Sequence, residues 1–240
     1  MKITVGNLHF QILNNEIKNT KDKYIEIENC LGQRYIASGL SEKSITIKGT
    51  PGNALGAYLD GADITVYGNA QDATGDTMSA GTICVHGSSG DATGYAMRGG
   101  KIFVQGSAGY RAGIHMKAYK DIVPVLVIGG CAGSFLGEYL SGGRIIVLGI
   151  GADGKVPAGN FLGSGMHGGK IYLRCTQKPQ NLPKQVEVRK AGKEDMAEIK
   201  DDIAQYCRLF GYDEKELEAE PFYVLAPNTK NPYQQMYTYN

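Results

Sequence analysis

Two aspartates raise the first chemical question. Asp72 and Asp91 each open the tetrapeptide Asp-Ala-Thr-Gly, 19 residues apart. If the chain returns on itself with that period, the two carboxylates come within about 5 Å of each other. Such a pair can share a proton or hold a cation. The competing use is local: each carboxylate accepts backbone N–H groups in its own bend, as an Asx turn does. Asn53 and Tyr110 occupy the neighbouring places in the column, so no acidic ladder extends, and the bend reading is the one favoured. The surrounding Ala, Thr and Gly offer no nucleophile with a base. The four histidines, His9, His86, His115 and His167, form no HxH or HxxxH pair. The five cysteines, Cys30, Cys84, Cys131, Cys175 and Cys207, form no CxxC pair and are odd in number. Neither a metal site nor an iron–sulfur cluster nor an internal disulfide is expected, and a reducing compartment is. Glycine is dense, yet no Walker-type phosphate loop occurs, and Gly163-Ser164-Gly165 does not join a strand to a long helix. No catalytic, cofactor-binding or metal-ligating residue is predicted. What remains is a cluster around residues 109–120. Arg98, Arg111, His115, Lys117 and Tyr119 predict either a solvated charged face or a protein interface, for which Arg and aromatic residues are the favoured types.

The elements that must position these residues are written as a repeat. Ile45-Thr46-Ile47-Lys48-Gly49 is followed at intervals of 19 by Ile64-Thr65-Val66-Tyr67-Gly68, Ile83-Cys84-Val85-His86-Gly87 and Ile102-Phe103-Val104-Gln105-Gly106. A second glycine recurs at Gly56, Gly75, Gly94 and Gly113, and an apolar residue three places later at Leu59, Met78, Met97 and Met116. Fixed spacing with matched columns is the mark of a stacked coil. Each row alternates, so it is a short strand with one buried face, ended by a glycine free to take positive φ. The circuit of roughly 60 Å suits three short strands joined by bends, and parallel crossovers are overwhelmingly right-handed. The fold class predicted is all-β: a single-stranded right-handed β-helix with a short C-terminal helical appendage. Leucine-rich repeats have a similar period but need L-x-x-L-x-L and an Asn column, both missing here.

An imperfect first rung reads at Ile25 to Asn29, where Asn29 takes the glycine place. Later rungs start at Val125, Ile145 and Ile171, with Gly129 and Gly149 ending two of them and Gly137 and Gly163 as second glycines. Insertions fall at 118–121 and 150–156. The total is about eight rungs, or roughly 34 Å of stack. Before the coil, Ile3 to Ile12 reads as a hairpin around Gly6-Asn7, with at most one helical turn in 14–20. After it, Met196, Ile199, Ile203, Tyr206 and Phe210 form one apolar stripe with Gly211 as the stop. Hairpin and helix are the expected end caps. Phe222 to Leu225 is strand-like. The domains expected are 1–24 as N-terminal cap, 25–176 as the β-helix, and 177–240 as linker, amphipathic helix and extended tail. With 25 basic against 24 acidic residues the net charge is +1, which argues against nucleic acid as a partner. No apolar run approaches the roughly 20 residues of a membrane span and no leader is visible, so the chain reads as soluble and cytoplasmic. A homo-oligomer stays possible.

These residues also carry a resemblance. Gly49 to Gly56, Gly99-Gly100-Lys101-Ile102 and Ser141 to Ile145 resemble the GXGXG β-helix of glutamate synthase. Gly94 to Gly100, Gly113 to Lys117, Phe135 to Tyr139, Gly165 to Gly169, Tyr206 to Gly211 and Asn231-Pro232-Tyr233 are similar to the version that forms a separate chain. The resemblance covers roughly residues 7–235. It implies a structural subunit of an oxidoreductase complex of nitrogen metabolism and glutamate biosynthesis. Partner subunits hydrolyse glutamine in a class II amidotransferase and make glutamate from 2-oxoglutarate in an FMN-binding synthase domain. FMN and iron–sulfur clusters are then expected in those partners and none in this chain. The alternatives are a chain resembling the β-helix component of formylmethanofuran dehydrogenase, a molybdenum or tungsten enzyme, and an independent ligand-binding module.

Overall fold

The computed structural model describes residues 1–228. The tail from 229 on, with the Asn231-Pro232-Tyr233 motif, lies outside the described residues. One mostly parallel, 11-stranded sheet organises the chain. Its parallel part runs through β1 (Lys2–Thr4), β2 (Tyr24–Leu31), β3 (Ser44–Thr50), β4 (Asp60–Tyr67), β5 (Ala80–Val85), β6 (Lys101–Val104), β7 (Val125–Ile128), β8 (Ser141–Val147) and β9 (Gly168–Arg174). Consecutive strands are neighbours, so each return of the chain lays a strand beside the last. The sheet is open, with β1 and β10 (Val186–Lys190) at its edges.

Register follows the sequence columns. Ile25, Ile45, Ile64, Ile83, Ile102, Leu126, Ile145 and Ile171 form one row across the sheet. Ile27, Ile47, Val66, Val85, Val104, Ile128, Val147 and Leu173 form the next inward row. Both rows are buried in one apolar cluster with Leu59, Met78, Met97, Met116, Leu140 and Met166. Each buried Leu or Ile contributes about 2 kcal/mol by leaving water. A one-residue slip would turn the rows outward, so the pattern fixes the pairing.

Three expectations are corrected by packing. The hairpin over residues 3–12 is β1 followed by a helix, α1 (Phe10–Asn19). Leu13 and Ile17, four apart, are buried in the main core and override the alternation of Leu8, Phe10 and Ile12. His9 caps α1, its Nδ1 accepting from the Gln11 N–H at 3.4 Å. Second, the sixth rung begins at Leu126, which pairs with Ile102, not at Val125, which pairs with Lys101. The glycine level with Gly106 is therefore Gly130, whose N–H donates to the Gly106 carbonyl, rather than Gly129. Third, a circuit holds one regular strand, not three. The second crossing is a single bridge per turn, Ala70–Ser89–Ala108–Ala132–Ala158, and the rest is a run of tight turns.

The helix α2 (Lys193–Phe210) is not an end cap. Ile199, Ile203, Tyr206 and Cys207 pack on the outer face of β6 to β9, against Phe103, Val125, Val127, Ile146, Leu148 and Tyr172. The end is closed instead by β11 (Phe222–Pro227), antiparallel to β9, and by β10 beyond it. A short α3 (Glu214–Glu218) joins α2 to β11. No helix among the described residues is long and apolar enough to cross a membrane.

Candidate interaction surface

The turn runs carry the chemistry that faces solvent. In the run 111–115, Arg111, Gly113 and His115 all take left-handed φ, at 56°, 70° and 58°. Their N–H groups point alternately to the next and the previous coil, reaching Ser134 O at 2.9 Å, Thr93 O at 2.8 Å and Glu138 O at 2.9 Å. Ala112 and Ile114 are buried between them, and Arg111 and His115 are pushed outward. Every coil repeats this path. Gly56, Gly75, Gly94, Gly113, Gly137 and Gly163 have φ between 62° and 73°. A Cβ at Gly113 would lie 2.3 Å from Ile145 Cδ1, so both conformation and space require glycine there.

The strand-end glycines divide by cause. Gly49, Gly68 and Gly149 take positive φ, whereas Gly87, Gly106 and Gly129 do not. At Gly106 the reason is close approach: a Cβ would meet the Ser88 Oγ below it at 2.5 Å. At Gly129 the space is taken by Tyr206 of α2, whose hydroxyl donates to the Gln105 carbonyl at 3.1 Å.

The coil spacing of about 4.8 Å is also a good stacking distance, and side chains at equivalent places stack. Phe135 lies over Phe161 with centroids 4.8 Å apart, and His115 over Tyr139 at 5.0 Å. Tyr95 meets His115 edge-on at 5.9 Å. The Arg111 guanidinium sits 4.9 Å over the Phe135 ring and pairs with Glu138 at 3.0 Å. Arg98 donates to the His115 carbonyl at 3.0 Å. Arg98, Arg111 and His115 thus belong to one ridge. Lys117 ends the same turn run with its side chain exposed. Tyr119 belongs to the tight turn Tyr119–Ile122, closed by two reciprocal hydrogen bonds of 3.0 Å, with the Lys120 ammonium 5.3 Å over its ring. Phe135, Tyr139 and Phe161 complete the ridge and were not among the residues picked from sequence as its members. Their signal is positional, since they fall in the Arg111 and His115 columns one or two coils later. A non-glycine residue in the left-handed region costs about 1 kcal/mol, and an aromatic stack returns a similar amount.

The aspartate pair is spent on the backbone. Asp72 Oδ1 accepts from the Asp91 N–H at 2.9 Å, and Asp91 Oδ1 from the Tyr110 N–H at 2.8 Å. The donor lies in the next coil rather than in the aspartate's own bend. Asn69, Ser88, Ser107 and Ser134 do the same for Ser88, Ser107, Cys131 and Asn160. Each side chain thus ties one coil to the next.

The densest set of charges serves to hold α2. Lys101, Arg144 and Lys170 stand in one sheet row, broken only by Val125. Asp195, Glu198 and Asp202 meet them from one helical face. Asp202 receives Lys101 at 2.7 Å and Arg144 at 3.0 Å. Burial pushes Glu198 up, but the Lys170 ammonium and the Tyr172 hydroxyl outweigh it and its carboxyl lies below the usual range. Arg189 beside Asp195 lowers that carboxyl to about 2. Burial pushes the thiols of Cys84, Cys175 and Cys207 up to about 11, which keeps them protonated. No three His, Cys, Asp or Glu side chains among the described residues are grouped to hold a metal. A cleft of about 260 Å³ between Phe161 and Pro179–Leu182 has no ionisable side chain in its wall among the described residues.

Two comparisons bear on this architecture. The family model described as "GXGXG motif" matches residues 5–223. An uncharacterized protein of Methanocaldococcus jannaschii is 46% identical over 250 residues, covering 98% of this chain and 95% of that protein.

Proposed function

Because this chain belongs to the GXGXG motif family, we propose that it is the non-catalytic scaffold of a glutamate synthase-type complex. Other chains of that complex would convert glutamine and 2-oxoglutarate to glutamate. The observation that carries the reading is the coil interior. Both inward rows, from Ile25 and Ile27 to Ile171 and Leu173, are close-packed apolar side chains with almost no exposure. An interior so filled stiffens a column and leaves no room for a reacting group.

The finer fold assigned to the coil is a right-handed β-helix of residues 25–176. Two parallel ladders per circuit, the main sheet and the Ala70-to-Ala158 bridges, support it. So does the general handedness of parallel crossovers. Residues 1–24 serve as the N-terminal cap, and 177–228 supply α2 and the two strands that close the other end. The partners are a class II amidotransferase and an FMN-binding synthase chain, and FMN and iron–sulfur clusters reside there. The cysteines here are dispersed, four are buried, and three are held protonated, which suits no cluster. Free thiols accord with a reducing, cytoplasmic setting.

Co-purification tests the reading. Tagged chain co-expressed with the two partner chains is expected to bring down an FMN-bearing polypeptide with a flavin spectrum. Recovery of a molybdopterin enzyme instead, or of no flavoprotein, would overturn it.

A further inference from the structure

We propose that the turn ridge carrying Arg111, His115, Phe135 and Tyr139 docks the acidic surface of a different polypeptide. The proposal deepens the scaffold reading, and rests on it, by assigning it a face. The ridge contains its own control. Gly39, Tyr58, Thr77, Ala96, His115, Tyr139 and Gly165 occupy one column, and all have left-handed φ, from 51° to 70°. The glycines at its two ends show what the backbone accepts without strain. Tyr58, His115 and Tyr139 accept the strain and still face solvent, Tyr58 being 61% and Tyr139 38% exposed. Phe161 repeats this in the neighbouring column, at φ 61° and 57% exposure. Stacking offsets part of the cost for His115 and Tyr139, but Tyr58 has no ring partner among the described residues. Bulky rings held out at strained positions gain most when a second surface covers them.

Charge selects the partner. Arg98 and Lys117 flank the rings and have no ion-pair partner among the described residues. Arg111 is paired with Glu138, which leaves the ridge cationic around His115, while Asp60 and Asp76 lie beside Tyr58. A second copy would set Arg98 and Lys117 against their own kind, so self-pairing is disfavoured. A chain of net charge +1 lacks the basic excess of a nucleic-acid binder. Rings and arginine within a cationic rim fit an acidic protein face.

Site-specific photo-crosslinking in cells of the encoding organism tests this. A benzophenone amino acid replaces Tyr58, Tyr139 or, as control, the still more exposed strand residue Tyr24. The first two are expected to trap one acidic polypeptide, with at least about tenfold higher yield than Tyr24. Arg98→Glu with Lys117→Glu is expected to cut that yield by about tenfold. His115→Gly with Tyr139→Gly removes strain, so it should leave thermal stability equal or higher while the Tyr58 crosslink falls. Crosslinks to a second copy or to RNA would overturn the proposal. So would equal yield from Tyr24, or no loss in the charge-reversed variant. Mass spectrometry of the trapped chain separates the two readings: an acidic partner that is neither amidotransferase nor flavoprotein keeps the ridge and ends the glutamate synthase assignment.

Discussion

Asp202→Ala removes the anchor between α2 and the sheet. Asp202 is 1% exposed and receives Lys101 Nζ at 2.7 Å and Arg144 Nη2 at 3.0 Å. Stripping one partner from a fully buried pair costs about 3–5 kcal/mol, because a charge is left without water or a counterion. The cations here are not fully buried: the Lys101 side chain is 35% exposed and that of Arg144 20%. Water relieves part of the penalty, which brings the expected loss to about 2–3 kcal/mol. For a chain of this size that is about 5–10 °C in Tm. Urea denaturation followed by circular dichroism at neutral pH measures it. A cycle with Arg144→Ala isolates the pair and should give a coupling of about 1–2 kcal/mol. Raising the salt should change the loss little, since a buried pair is poorly screened. A loss below about 0.5 kcal/mol, or a coupling that vanishes in salt, is the behaviour of a surface pair and would refute the reasoning.

Three further outcomes are expected. Asp195 titrates near 2 in the folded chain, below the usual aspartate value of 3.8, so the unfolded chain binds the proton more tightly. Its contribution is present above about pH 4 and is lost as pH falls towards 2; Asp195→Asn should flatten the acid limb of stability against pH, and an unchanged limb would discount the Arg189 contact. Gly113→Ala places a methyl 2.3 Å from Ile145 Cδ1 at φ 70° and should cost about 2–4 kcal/mol of unfolding free energy; a neutral result would mean the turn path can relax. Native thiol labelling at about pH 8 should modify Cys131 first, because the other four cysteines are buried; equal labelling of Cys84 or Cys207 would contradict the packing of α2.

The coil was legible because its period is rigid. Ile45, Ile64, Ile83 and Ile102 stand level in the sheet as their spacing requires. In the first rung the expected glycine place is corrected: Cys30 pairs with Gly49, and Asn29, at φ 54°, lies in the bulge between Ile27 and Cys30. Legibility fails where a second surface buries a strand's outer face. Val125-Leu126-Val127-Ile128 is apolar throughout because α2 covers its outside, so alternation cannot tell inward from outward and the register slips by one. The spacing of Asp195, Glu198 and Asp202 carries the docking direction of α2, but the cations that answer it, Lys101, Arg144 and Lys170, become neighbours only once the strands are stacked. Val186 to Lys190 is too short and too charged to announce itself as the closing strand. The ridge was half visible. Arg98, Arg111 and His115 lie close in sequence, whereas Phe135 and Phe161 join them only once the coils are stacked at their true, unequal spacings.

Reconstitution with and without this chain addresses the scaffold assignment most directly. Glutamate formation from glutamine and 2-oxoglutarate is followed for the isolated chain, for the amidotransferase and FMN-binding chains together, and for all three. A scaffold role requires no turnover by the isolated chain, impaired turnover by the two partners, and recovery when the coil is added. Turnover by the isolated chain, or full activity without it, would rule out the scaffold role.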